Sequence, residues 1–180
     1  MSARISVVCA VLAGLILTAT VSADSVSGIA WEKPKAWTQE GPRPMRAASY
    51  KIPAAAGDSE GGECIVYYFG PGQGGGVEAN VERWIGQFQA PDGGPADPLA
   101  KRSQKTINGI PVAFLDLTGT YLFKPFPMAP QATKKPGYRM LAAIAQGKDA
   151  PVFFKLTAPA KTAAAAEAAF QAMIASLAKQ

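Results

Sequence analysis

The sequence of 180 residues contains no histidine. This absence excludes a Ser-His-Asp or Cys-His nucleophilic centre, and it removes the commonest protein ligand of zinc, copper and non-haem iron. Acidic residues could still bind calcium, but those of the segment GDSEGGE do not have the spacing of a twelve-residue calcium loop. The sequence therefore predicts neither a metal site nor a cofactor.

Cysteine is almost as scarce, and the first of the two, Cys9, lies in an N-terminal segment that is typical of an export signal. One positive residue, Arg4, precedes an uncharged apolar run that ends in Val21-Ser22-Ala23, which fits a small-x-small cleavage site. We expect residues 1–23 to be a signal peptide that is cleaved after Ala23, so that the mature protein is periplasmic or secreted. The alternative is an uncleaved anchor, because the run is nearly as long as the roughly 20 residues that cross a bilayer.

The mature chain, residues 24–180, has one cysteine, Cys64, so it cannot form an intrachain disulfide even in an oxidising compartment. Its length suits a single globular domain, and we expect no transmembrane segment in it. The segment CIVYYF begins at Cys64 and is apolar on both alternating faces. It predicts a strand that is covered on both sides, with the thiol inside.

Periodicity elsewhere predicts further strands and two helices. Trp31 and Trp37 anchor an extended, proline-rich stretch, and the spacing of apolar residues from Val77 predicts an amphipathic helix. The alanine-rich segment 160–179 predicts a second helix. The pair Asn108-Gly109 between two extended stretches predicts a hairpin.

Four prolines between Phe123 and Tyr138 predict a long exposed loop there. Because the predicted strands are connected mainly by hairpins and turns, we expect an α+β fold in which helices pack on a mainly antiparallel sheet.

A glycine-rich loop, GPGQGGG, lies between the CIVYYF strand and the first helix. It matches the spacing G-x-G-x-x-G, but antiparallel hairpins follow it instead of the repeated βαβ units of a dinucleotide-binding domain, and it lacks the lysine of a P-loop. One interpretation is structural, because glycine permits the positive φ angles of a tight turn. The other is an anion site at the helix N-terminus, formed by Gly74, Gly75, Gly76 and Arg83.

Four segments together resemble a known family. They are GDSEGGECIVYYFGPGQGGGVEANVERWIGQF, INGIPVAFLDLTGTY, KPGYRMLAAI and the C-terminal part that begins PVFFKLTAPAKT. This set resembles a family of uncharacterised exported bacterial proteins with a PsbP-like α/β/α sandwich fold. The resemblance implies a non-enzymatic accessory or binding role in an extracytoplasmic compartment. It assigns no site residue, because the PsbP of photosynthetic complexes uses histidines in its metal and partner contacts.

Positive charge is concentrated in the C-terminal half. Asp24 to Ala100 contains six Lys and Arg against ten Asp and Glu, whereas Lys101 to Gln180 contains eleven against three. A solvated surface is one explanation and an acidic partner is the other. Since no acidic residue occurs between Asp116 and Asp149, we predict a partner-binding surface that consists of Lys124, Lys134, Lys135 and Arg139.

The leading hypothesis is an exported, non-enzymatic binding or accessory module of the cell envelope. Its expected partner is an anionic envelope component or a protein subunit, and not nucleic acid, because the chain carries an export signal and no recognised nucleic-acid motif. The alternative is an envelope hydrolase that uses carboxylates, or a serine without histidine. Glu78 and Glu82, one helical turn apart, could form such a carboxylate pair, although a solvent-facing helix surface is the simpler expectation. For Arg83, an ion pair with Glu78 or Glu82 is a simpler expectation than binding of an anion.

Overall fold

The computed structural model describes residues 24–125 and 130–180, so the predicted signal peptide lies outside the described residues. The described chain forms strands and two α-helices. The helices are α1 (Val77–Ile85) and α2 (Ala160–Ala175), and the strands are β1 (Asp24–Val26), β2 (Ile29–Trp31), β3 (Thr38–Gln39), β4 (Arg46–Ile52), β5 (Gly62–Tyr67), β6 (Phe88–Gln89), β7 (Lys101–Ile107), β8 (Ile110–Phe123), β9 (Thr133–Ala145), β10 (Val152–Pro159) and β11 (Ala178–Lys179).

The strands form one large and one small antiparallel sheet. The large sheet has the order β3-β4-β5-β10-β9-β8-β6, and β7 pairs with the other end of β8. The small sheet has the order β1-β2-β11. Each pairing in both sheets is antiparallel, which confirms the predicted α+β class with a mainly antiparallel sheet.

Each helix packs on a different face of the large sheet, which gives an α/β/α sandwich. Helix α2 buries Phe170, Met173 and Ile174 against one face, as the alanine-rich segment predicts. Helix α1 buries Val81, Trp84 and Ile85 against the other face, as its apolar spacing predicts. The sheet is therefore covered on both sides at its centre, which explains the apolar character of both faces of β5 and β10.

Helix α1 is too short to cover its whole face of the sheet. One row of directly paired residues crosses this face from β3 to β8, and it consists of Thr38, Lys51, Glu63, Thr157, Met140 and Leu117. Met140 and Leu117 are buried in the cluster below α1. The other four are polar and lie beyond the end of the helix, so the sheet keeps an uncovered polar area on the α1 side.

The sequence predicts the hairpin and the tryptophan anchors correctly. Asn108 and Gly109 both have positive φ, of 49° and 76°, and connect β7 to β8. This conformation suits a two-residue turn between twisted strands. Trp31 and Trp37 are both buried, as expected of anchors.

Two predicted boundaries are wrong. The loop after Phe123 is shorter than predicted. The prediction extends it to Tyr138, but β9 begins at Thr133 and pairs with β8 from that residue onward. Pro136 is tolerated there because β10 pairs with β9 only from Tyr138 onward, which leaves this end of β9 with β8 as its sheet neighbour. Helix α2 ends at Ala175, and the residues after it pair with β2 as β11.

Cys64 lies in β5 with its thiol fully buried, as predicted, and burial raises its pKa. We expect its reaction with a thiol reagent to be about a hundredfold slower in the native protein than in denaturant, because the thiolate forms only when the strand opens. A Ser59→Cys variant supplies an exposed thiol in the turn before β5 as a reference for full reactivity. Labelling of native Cys64 at the rate of this reference would contradict its position in the core.

Candidate functional site

The uncovered area of the sheet forms the floor of a groove with a volume of about 750 Å³. The segment around β3 and the end of β4 form one wall, and the ends of β8 and β9 form the other. The loop before β5 closes one end. The side chains that line this groove and carry charge or aromatic rings are Glu40, Arg43, Lys51, Glu60, Glu63, Tyr121, Phe123, Lys135 and Tyr138.

The floor of the groove is polar because of the strand register. Lys51, Glu63 and Thr157 are directly paired neighbours on β4, β5 and β10, so their side chains point to the same face. Residues one position away point to the opposite face, where Ile52, Cys64 and Leu156 enter the core below α2. A single alternating pattern therefore produces an apolar core on one side and a polar floor on the other.

Two of the three carboxylates in the groove are already paired. Glu40 lies 3.1 Å from Lys51 Nζ and 3.5 Å from a guanidinium nitrogen of Arg43, and Glu60 lies 2.7 Å from Lys135 Nζ. The hydrogen bond from Lys51 lowers the pKa of Glu40, and the hydrogen bond from Lys135 lowers the pKa of Glu60. Both carboxylates are therefore held in the ionised form.

Glu63 differs from these two carboxylates. Its side chain makes no hydrogen bond or ion pair within residues 24–125 and 130–180, although Lys51 is its direct neighbour on β4. Lys51 instead forms an ion pair with Glu40, which follows the adjacent strand β3. Glu63 therefore offers a free acceptor on the floor.

The wall formed by β8 and β9 is aromatic. The rings of Tyr121 and Tyr138 lie 5.9 Å apart and are inclined by 26°, and Phe123 lies 6.2 Å from Tyr121. Lys135 Nζ lies 5.3 Å from the Phe123 ring centre and 5.1 Å from that of Tyr138, and it donates a hydrogen bond of 3.1 Å to the Tyr138 hydroxyl. These contacts, together with Glu60, fix the ammonium group on the wall.

The residues of the predicted partner-binding surface do not form one surface. Lys135 lines the groove, but the preceding residue on β9, Lys134, points to the opposite face of the sheet and is exposed. Lys124 is exposed after the end of β8, next to residues 126–129, which lie outside the described residues. A partner could contact these three lysines together only if it reached around the edge of the sheet.

Arg139 is bound within the protein. Its guanidinium donates to both oxygens of Asp116, at 2.8 and 2.9 Å, and to Glu167 of α2 at 2.7 Å. Arg139 and Lys135 therefore each have acidic partners within the protein, and their contact with another molecule remains a prediction. Their acidic partners come from segments that are distant in sequence, so a local count of charges could not find them.

The residues of the predicted anion site do lie together, but through contacts within the loop and helix. Asn80 donates from Nδ2 to the carbonyl oxygens of Gly74 and Gly76, at 2.7 and 2.9 Å, and its Oδ1 accepts a hydrogen bond from Arg83. Gly74 and Gly75 have φ angles of 95° and 73°, which glycine adopts without strain. These contacts give Gly74, Gly75, Gly76 and Arg83 a structural role, and binding of an anion there remains a prediction.

The expected ion pair of Arg83 with Glu78 or Glu82 is wrong. Both carboxylates pair with Arg102 of β7, at 2.8 Å in the case of Glu82, and Asp97 lies 2.6 Å from the same guanidinium. The two glutamates are thus part of an exposed ionic cluster that connects α1 with β7. This arrangement gives no support to their use as a catalytic pair.

Sequence reasoning missed Glu63 and Tyr121 as groove residues. Strand alternation does place Glu63 and Thr157 on the face opposite to that of Cys64 and Leu156, so their common face is predictable from the sequence. It could not show which part of that face a nine-residue helix leaves open. Within the described ranges, no group of three His, Cys, Asp or Glu side chains is arranged to hold a metal ion, and neither helix is long and apolar enough to cross a membrane.

No protein family model and no curated protein matches the chain by sequence. Solved structures do resemble it. Cyanobacterial PsbP (CyanoP) from Synechocystis sp. PCC 6803 is 12% identical with a TM-score of 0.52, and the match covers 93% of this chain and 96% of that one. The protein of unknown function PA94 from Pseudomonas aeruginosa is 15% identical with a TM-score of 0.51, over 88% and 96% of the two chains. At these identities the similarity shows a PsbP-like fold and carries no function.

Proposed function

We propose that the protein is an exported, non-enzymatic binding module of the cell envelope, and that its ligand occupies the groove on the α1 side of the sheet. The observation that carries this proposal is the groove itself, whose volume of about 750 Å³ falls within the range of about 300 to 1,000 Å³ that ligand sites occupy. It combines an aromatic wall with a polar floor. The N-terminal segment supports export, since its pattern is that of a signal peptide.

The charges of the groove favour a peptide segment of a protein subunit over an anionic polymer. Three acidic side chains, Glu40, Glu60 and Glu63, face three basic ones, Arg43, Lys51 and Lys135. A polyanion would meet as many repulsive groups as attractive ones. A segment with both charges, and with an apolar side chain for the Tyr121 and Phe123 rings, matches the lining better.

The rival function is a hydrolase that uses carboxylates, and the convergence of three glutamates in one groove is the observation in its favour. Such enzymes need one carboxyl group with a raised pKa, so that it can act as an acid near neutral pH. The pKa values of Glu40 and Glu60 are instead lowered by their lysine partners. This direction supports binding over hydrolysis.

The test is a titration of the mature protein with short peptides of mixed, all-acidic and all-basic charge, and with an anionic polysaccharide, followed by calorimetry. We expect the mixed peptides to bind more tightly than the others. The change Glu63→Gln should weaken their binding about tenfold, or by about 1.4 kcal/mol, because it removes the charge of the free carboxylate but keeps an amide oxygen as a neutral acceptor.

The matched control is Glu32→Gln, which makes the same change at an exposed position outside the groove lining. It should leave the affinity unchanged. Equal losses in both variants, or preferred binding of the polysaccharide that depends on Lys134, would overturn the groove as the binding site. Cleavage of the peptides or release of sugars in the same samples would favour the hydrolase.

A further inference from the structure

A buried lysine lies in the row next to the groove floor. Lys155 of β10 is directly paired with Ile65 of β5 and Ala142 of β9, and only 7% of its surface is exposed. It shares its face of the sheet with Glu63 and Thr157, which line the groove. A lysine at such a position is unusual, because an ammonium group loses most of its hydration there.

The amine of Lys155 has few partners. It forms no ion pair with a carboxylate in the described part of the chain, and its hydrogen-bond acceptor is Oε1 of Gln87, in the turn between α1 and β6. The ring centre of Tyr121 lies 5.5 Å from Nζ. Tyr121 also lines the groove, so its ring lies next to both the amine and the ligand space.

The surroundings favour the uncharged amine. Burial is the main cause that lowers the pKa of Lys155, Glu63 of β5 raises it in part, and Arg83 of α1 lowers it, so that the pKa is about 8. At pH 7 about a tenth of such an amine is uncharged, compared with roughly one part in 2,500 for an ordinary lysine. Desolvation and a neighbouring cation are the two means by which proteins convert lysine into a nucleophile.

We propose that Lys155 is a site of covalent capture for small carbonyl compounds, aldehydes above all, which reach it from the groove past Tyr121. In this step the amine nitrogen attacks the carbonyl carbon and a C=N bond forms. The C=O bond breaks, and its oxygen leaves as water with the two amine protons. Gln87 orients the amine through its amide oxygen. This inference goes beyond the proposed function, because it needs no peptide ligand.

The test treats the mature protein at pH 7 with propanal and sodium cyanoborohydride, which delivers hydride to the imine carbon and makes the link permanent. Peptide mapping by mass spectrometry then gives the initial rate at each lysine. We expect Lys155 to be labelled at least about tenfold faster than the exposed Lys51 and Lys101, with a rate that levels off above about pH 8. The rates at exposed lysines should continue to rise to about pH 10.

Two variants test the route. Tyr121→Ala removes the ring next to the groove and the amine and should accelerate labelling of Lys155 several-fold, whereas Tyr121→Phe keeps the ring and should leave the rate unchanged. Labelling of Lys155 no faster than of Lys51, or a rate that rises beyond pH 9, would overturn the assignment. An equal rate in the Tyr121→Ala variant would also overturn it, because the groove would not be the entrance. Peptide binding is measured without aldehyde, so either proposal can fail alone.

Discussion

Replacing Phe153 with alanine should lower the free energy of unfolding by about 3 to 5 kcal/mol, the usual cost of removing a buried phenylalanine side chain. Phe153 is 1% exposed and makes edge contacts with the rings of Trp84 on α1 and Phe69 at the start of the glycine loop, at 6.1 and 5.5 Å. It thus holds both the helix and the loop on the sheet. Denaturant unfolding of the wild type and the variant measures the change, provided that the free energy falls with denaturant concentration at the same slope in both.

A double-mutant cycle locates part of this effect in the glycine loop. A methyl group added at Gly74 would lie 2.9 Å from Cε2 of Phe153, whereas one added at Gly75 meets only Asn80 Nδ2, at 3.7 Å. Both substitutions force alanine into positive φ. We expect Gly74→Ala to lower the free energy of unfolding by less in the Phe153→Ala background than in the wild type, because the cavity left by Phe153 admits the methyl group. Gly75→Ala should lower it by the same amount in both backgrounds. Equal coupling for the two glycines would contradict the packing role of Gly74.

Replacing Arg139 with methionine should lower the free energy of unfolding by about 2 to 3 kcal/mol. This is less than the roughly 3 to 5 kcal/mol that is lost when a fully buried ion pair is broken, because the site is partly hydrated. The guanidinium side chain is only 15% exposed and connects Asp116 of β8 with Glu167 of α2. Methionine retains the aliphatic volume but leaves the Asp116 carboxylate without its two hydrogen bonds. Those hydrogen bonds also raise the pKa of Arg139, so the guanidinium stays charged at every pH at which the fold is tested.

Lys134→Met is the matched control, since Lys134 lies on the same strand with an exposed side chain. Its cost should be below about 0.5 kcal/mol, as for most surface positions. If both changes alter the melting temperature equally, the ionic cluster of Arg139 does not stabilise the fold. If Arg139→Met leaves stability unchanged and reduces binding of a partner, Arg139 acts as the surface contact that the sequence predicts.

The comparison of Lys134, Lys135 and Arg139 shows where sequence reasoning ends. All three occur in a stretch without acidic residues, and the sequence predicts them as one positive surface. In the structure Lys135 meets Glu60, from 75 positions away, and Arg139 meets Asp116 and Glu167. Antiparallel pairing of distant strands makes these contacts, and no local pattern encodes them.

The glycine loop shows the opposite case. The sequence leaves two interpretations of the loop, a tight turn with positive φ angles or an anion site. Four glycines of the loop have φ between 67° and 103°, as the tight turn requires. Only glycine adopts such angles without strain, so composition alone predicts a tight turn. Asn80 also donates hydrogen bonds to two carbonyl oxygens of the loop. These contacts depend on how the helix begins, which composition does not predict.

The sequence by itself determined the α+β class, the two helices, the hairpin at Asn108-Gly109 and the burial of Cys64, Trp31 and Trp37. It could do so because alternation, helical spacing and turn residues are local properties of each segment. Only the tertiary structure decided the groove. It exists because α1 ends after nine residues and leaves the polar end of one side-chain row uncovered, while Glu40, Tyr121 and Lys135 arrive from three different strands or loops. Packing distances between remote segments set these positions, and they appear only when the sheet is assembled.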